Sequence, residues 1–74
     1  MHIGRITIKS DVCGGEPTIR GMRITVRHVL EMLADGMTPE QVLHDFPYLE
    51  KADIDASLEY AARHATHREI LLNE

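Results

Sequence analysis

Three arginines hold the clearest chemical pattern in this chain. Arg20, Arg23 and Arg27 fall at spacings of three and four, across a predicted strand–helix junction. The planar guanidinium fork matches phosphate oxygens, and arginine also enters narrow minor grooves. These residues are therefore candidate DNA contacts. A dimer would double them and make binding salt-dependent. Alternatively, Arg20 and Arg23 are edge charges that keep a short strand from aggregating. A second group lies at the other end. Arg63 and Arg68 flank the end of a predicted helix, and Ile70, Leu71 and Leu72 form an apolar patch in polar surroundings. That patch either packs in a dimer core or waits for a partner.

Other reactive side chains point to less. The chain has five histidines and one cysteine. A structural zinc site wants four ligands in closely spaced pairs. His64 and His67 make one such pair and no second pair answers it, so no metal site is expected. Cys13 precedes Gly14 and Gly15, whose amides could stabilise an anion. A catalytic thiol also needs a positioned base and a pocket, which a domain this small rarely encloses. Cys13 reads as a loop residue. The glycine loop matches neither the phosphate-loop nor the dinucleotide fingerprint. Glu31, Asp35, Glu40, Asp45, Asp53, Asp55 and Glu59 are expected mostly on solvated helix faces. No catalytic residue and no cofactor is expected, and an enzyme is disfavoured.

Size and composition bound what must position these groups. With 74 residues there is room for one domain. A chain of this length buries only about 60% of its unfolded surface and usually needs a staple. Cys13 has no partner within the chain, so the staple is not an internal disulfide. A single thiol fits a reducing, cytoplasmic location. Self-association as a homodimer is the favoured alternative. The 43% hydrophobic and 27% charged residues are globular values. No apolar run is long enough to span a membrane, and no signal peptide is evident after Met1–Arg5. The net charge of −4 divides unevenly. Residues 1–28 hold five basic and two acidic side chains, giving +3, and residues 29–74 hold three and ten, giving −7. A basic head and an acidic body imply two surfaces and two partners.

The pattern along the chain is mainly α-helical with a short N-terminal β element. Ile6 and Ile8, with Ile3 in the same period, predict a half-buried strand. Residues 13–17 read as a loop. Residues 18–26 are rich in β-branched types and broken at Gly21, which fits a tight turn or bulge. The period then becomes helical. Thr25 caps a first helix bearing Val26, Val29, Leu30 and Leu33, and Gly36 ends it. Thr38, Pro39 and Gln41 make a capping box for a short second helix that buries Val42, Leu43 and Phe46 and stops at Pro47. A third helix runs from about Lys51 to His64 or beyond, with Ile54, Leu58, Ala61, Ala62 and Ala65 on its inner face. Asp53 and Asp55 near its start, and Arg63 and His64 near its end, complement its dipole. The domain accordingly divides into a β/loop element (1–25), a three-helix core (26–66) and a tail (67–74). The last two helices match a helix-turn-helix, although any small three-helix domain would. The third helix would set Asp53 and Asp55 against phosphates, so the N-terminal basic segment is the better DNA candidate.

Several ordered motifs resemble one family. Residues 14–26 are similar to the signature GG-x-P-x-I-x-G-T-R-I-x-V, and residues 33–43, Phe46–Leu49, Asp53–Ile54 and Leu58–Ala61 continue the likeness. Together they resemble the prokaryotic family known as domain of unknown function 433. The resemblance runs from about Ile6 to Ala62. Met22 replaces the usual threonine. Glu50 stands where a threonine often caps the last helix, which weakens that cap. The resemblance implies a homeodomain-like helix-turn-helix fold, usually dimeric. It further implies an antitoxin of the VapB kind, encoded beside a PIN-like, magnesium-dependent ribonuclease. Such a protein would neutralise the ribonuclease by direct binding and, as a complex, repress its own operon. PIN-like active sites are carboxylate clusters, so Arg63 and Arg68, with Ile70, Leu71 and Leu72, are the candidate ribonuclease-binding residues. The competing expectations are a stand-alone DNA-binding regulator and a dimerisation module that binds no DNA.

Overall fold

The computed structural model describes residues 3–65. Two strands and three helices follow in chain order: β1 (Ile6–Thr7), β2 (Thr18–Ile19), α1 (Val26–Ala34), α2 (Pro39–Asp45) and α3 (Lys51–His64). Single 3-10 turns sit at Ile3–Arg5 and Cys13–Gly15. β1 and β2 pair antiparallel, Ile6 opposite Ile19 and Thr7 opposite Thr18. The threonine pair is tied through its side chains, with the hydroxyls 3.0 Å apart and Thr18 Oγ1 donating to the Thr7 carbonyl at 3.2 Å.

The strands are shorter than the alternating isoleucines predict. Pairing stops at Thr7, and Ile8 lies beyond it, 61% exposed. The run after Gly21 likewise contributes one bridge, Thr18 to Thr25, instead of a strand. The reason is local. Arg20 (φ 47°) and Gly21 (φ 73°) both occupy the left-handed region, and the Met22 N–H closes on the Ile19 carbonyl at 2.8 Å. Two positive φ values make this a tight type I′ reversal, which returns the chain at once alongside β2. Thr25 then becomes the cap of α1, its hydroxyl accepting the His28 N–H at 3.0 Å, so the segment cannot continue as a strand.

The helix ends follow from their caps. Thr38 and Gln41 form the reciprocal box at the start of α2, and Pro39 occupies its first turn. Gly36 (φ 98°) takes the left-handed position just after α1. The core consists of Ile19, Ile24, Val26, Val29, Met32, Val42, Leu49 and Ile54. It therefore draws on the β element, all three helices and the α2–α3 turn. Leu43 and Phe46 are half-buried against it, and His28 and Tyr48 meet Phe46 edge-on.

The inner face of α3 is rotated from the expected one. Ile54 is buried and Ala61 half-buried, but Leu58 is 48% exposed and Ala62 and Ala65 face outward. Asp53, Ala56 and Ser57 take the buried positions with Ile54. Asp53 thus lies in the interior, against the expectation of a solvated carboxylate. A hydrophobic stripe ranks residues by apolarity, whereas burial here is decided by satisfied hydrogen bonds. Ser57 Oγ donates back to the Asp53 carbonyl at 3.0 Å, and the Asp53 carboxylate has its own partners, described below. Among the described residues no helix is long and apolar enough to cross a membrane.

The two faces of α3 should respond differently to truncation. Ile54→Ala should destabilise by about 2–5 kcal/mol, since it opens a cavity in a packed core. Leu58→Ala should change stability by no more than about 0.5 kcal/mol. Urea midpoints of the two variants check this, and equal losses would contradict the rotated face.

Candidate functional site

Asp53 is the centre of the polar architecture. Its side chain is fully buried. Oδ1 accepts from Arg5 Nη1 at 2.9 Å and from Arg20 Nε at 3.1 Å. Oδ2 accepts from Arg20 Nη2 and from the Glu50 N–H, both at 2.8 Å. The carboxylate therefore takes four hydrogen bonds from three segments. Arg5 also reaches Glu50 at 2.6 Å, and Arg20 Nη2 donates to the Tyr48 carbonyl at 2.9 Å. Two guanidinia and two carboxylates balance in charge.

Local sequence explains the placement. Asp53 is the third residue of α3, where a carboxylate can reach back to the N–H of the residue before the helix. It supplies the reciprocal arm of a capping box with Glu50, its carboxylate accepting the Glu50 N–H. Arg20 is presented by the tight reversal after β2, and Arg5 by the turn before β1. Burial by itself pushes a carboxyl pKa up. The Arg20 fork, the Glu50 N–H and Arg5 together outweigh it and hold Asp53 below the usual carboxylate range.

The other candidate arginines are placed differently. Arg27 lies on α1 and forks onto Glu16, with Nε to Oε1 at 3.0 Å and Nη2 to Oε2 at 3.2 Å. Its Nη1 reaches Glu31 one turn on, also at 3.2 Å. Hydrogen bonding to Arg27 is the main cause holding the Glu16 pKa below its ordinary value. Arg23 is exposed in the turn after Met22. The three arginines of the spaced pattern are thus not brought to one face by a shared ligand: Arg20 serves Asp53 and Arg27 serves two glutamates. Arg63 is exposed in the last turn of α3. Arg68, Ile70, Leu71 and Leu72 lie outside the described residues. Among the described residues no group of three or more His, Cys, Asp or Glu side chains is arranged to hold a metal ion.

A groove lies between α1 and the C-terminal half of α3. Its volume is about 430 Å³. Val26, Leu30 and Ala34 form one wall and Tyr60, Ala61 and His64 the other, with Glu16, Pro17, Arg27 and Glu31 also lining it. Its walls are mainly apolar. The Tyr60 and His64 rings lie 4.2 Å apart, tilted by 30°. The groove is open to solvent and has the size of a ligand-binding cleft. Pattern reading missed both the Asp53 cluster and the groove. The Glu50 to Asp53 spacing was the available signal for the cluster. For the groove none existed, since Ala34 and Tyr60 become neighbours only through packing.

The model of the family described as "Protein of unknown function (DUF433)" matches residues 6–61. No curated protein and no solved structure matches the chain.

Removing the Asp53 charge should be severe. Asp53→Asn should destabilise by about 3 kcal/mol, the lower end for a broken buried pair. The lower end applies because the Arg5 and Arg20 side chains are 32% and 36% exposed. The pH dependence has a definite sign. The folded pKa lies below the unfolded one, so the stabilisation is present at neutral pH. It is lost as pH falls below about 4 and through the folded pKa. Denaturation midpoints measured down the acid range should fall less steeply in Asp53→Asn than in the parent. Parallel acid profiles would contradict this role.

Proposed function

The chain belongs to the DUF433 family, and on that premise we propose that it is the antitoxin-like component of a prokaryotic type II toxin–antitoxin module. It acts in the cytoplasm as a homodimer and binds a PIN-like ribonuclease directly. As a complex it represses its own operon through a homeodomain-like helix-turn-helix domain. One structural observation carries the proposal: α3 ends on the surface. Arg63, His64 and Ala65 are all exposed, and the chain that follows carries Arg68 and Ile70-Leu71-Leu72. An arginine fork can pair with a carboxylate cluster in place of its metal ions, and an adjacent apolar triad can anchor the segment. These residues lie beyond the matched residues 6–61, so ribonuclease recognition is assigned to a segment outside the matched part of the chain.

A basic surface supports the DNA arm. Arg20 and Arg27 are held by carboxylates of the same chain, while Arg23 and Lys9 are exposed and enter no ion pair among the described residues. Arg23 is the leading phosphate contact. The same observation favours the second proposal, a stand-alone DNA-binding regulator with no ribonuclease partner. The homodimer draws support from β1, which among the described residues pairs with β2 on one side only and can accept a strand on the other.

Coexpression with the nuclease encoded beside it tests the first arm. The parent chain should relieve growth arrest, and Arg68→Ala combined with removal of residues 70–74 should abolish relief. Intact relief would overturn the assignment of the tail. A mobility-shift titration on upstream DNA tests the second arm. Arg23→Ala should weaken binding across sequences and lower the salt slope by about 1 for each phosphate that Arg23 neutralises. An unchanged slope would remove Arg23 from the interface.

A further inference from the structure

We propose that the α1–α3 groove is the docking site of the chain's own segment 66–74, with Ile70, Leu71 and Leu72 seated on Leu30, Ala34, Tyr60 and Ala61. The proposal needs no ribonuclease and does not rest on that assignment.

Three observations converge on this occupant. The first is continuity. His64 is both the last residue of α3 and part of the groove wall, so the segment starts at the groove itself. Ala65 has extended backbone (φ −76°, ψ 131°), which takes the chain off the helix axis there. The second is reach. Ile70 lies five residue steps beyond Ala65, a span of up to about 17 Å when extended. The nine residues of α1 run only about 13 Å. The triad can therefore be laid anywhere along the groove.

The third observation is chemical match. The walls are mainly apolar, and the triad is the one run of three large aliphatic residues in the sequence. A second copy of the chain could offer the same segment. However, a tethered segment competes at an effective concentration in the millimolar range, which favours the chain's own.

Tryptophan is absent from the sequence, so Leu71→Trp in the full chain gives a single emitter. Its emission should be blue-shifted from that of a peptide of residues 66–74 bearing the same tryptophan. Adding Ala34→Glu, or separately Ala61→Glu, should return the emission to the peptide's value while helical circular dichroism is retained. Dilution should leave the parent emission unchanged. Peptide-like emission in Leu71→Trp itself, or a blue shift that survives both glutamates, would overturn the proposal. A blue shift that disappears on dilution would overturn it in favour of a second copy as the occupant. If the tryptophan or glutamate variants fail to fold, the ring resonances of Tyr60 are compared between the parent and Leu71→Ser/Leu72→Ser. They should move, and unchanged positions would overturn the proposal.

Discussion

A carboxylate removed from water must find enough donors to replace it, or its burial is prohibitive. Asp53 finds four, and they come from the turn before β1, the reversal after β2 and the backbone ahead of α3. That requirement fixes the position of the whole N-terminal element. Two strands of two residues each have little stability of their own. Ile19 and Ile24 give them an apolar anchor in the core. Arg5 and Arg20 give them a directional one. The left-handed backbone at Arg20 belongs to the same arrangement. A non-glycine residue is uncommon there, and it persists where surrounding contacts determine it. The guanidinium held on both Asp53 oxygens and on the Tyr48 carbonyl is such a contact.

This changes the meaning of the charge asymmetry. A head of +3 and a body of −7 suggest two surfaces turned toward two partners. In the fold the two halves face each other. Arg5 and Arg20 cross from the head to Glu50 and Asp53, and Arg27 reaches Glu31 of the body as well as Glu16 of the head. The crossing pairs are not equal in weight. Arg27 and both its glutamates are well exposed, so their attraction is screened by solvent. Only the Asp53 pairs place a charge where solvent cannot replace a missing partner. Among the described residues of the head, the exposed cations that enter no ion pair are accordingly fewer than composition implies, namely Lys9 and Arg23.

What could be read from the residues beforehand divides along a physical line. Helix ends depend on a few neighbouring side chains, so Thr25, Thr38 with Gln41, Pro39 and Gly36 marked α1 and α2 correctly, and α3 runs from Lys51 to His64 as its pattern indicated. Strand length and the inner face of α3 depend on contacts across the chain. Ile8 fits a period of two but has no strand to pair with. Leu58 is apolar but falls outside the arc that Asp53, Ala56 and Ser57 draw inward. A pattern that sorts residues by polarity places every aspartate outside. It cannot register that two arginines, 48 and 33 positions away, have been supplied for one of them.

The same constraint bears on where recognition can reside. An arginine that satisfies a buried carboxylate cannot leave it without leaving that charge uncompensated. Arg20 holds Asp53 through Nε and Nη2, so any further contact it makes has to be made with that fork in place. The contacts proposed above for Arg23 and for the segment after Ala65 draw on no member of this cluster. The groove fits this division of labour. It lies between α1 and the C-terminal half of α3, and its lining includes no residue of the ion cluster. A small domain can in this way keep a fixed polar centre and still present an exchangeable apolar surface, provided the two share no side chain. Here the cluster residues Arg5, Arg20, Glu50 and Asp53 and the lining residues of the groove are disjoint sets.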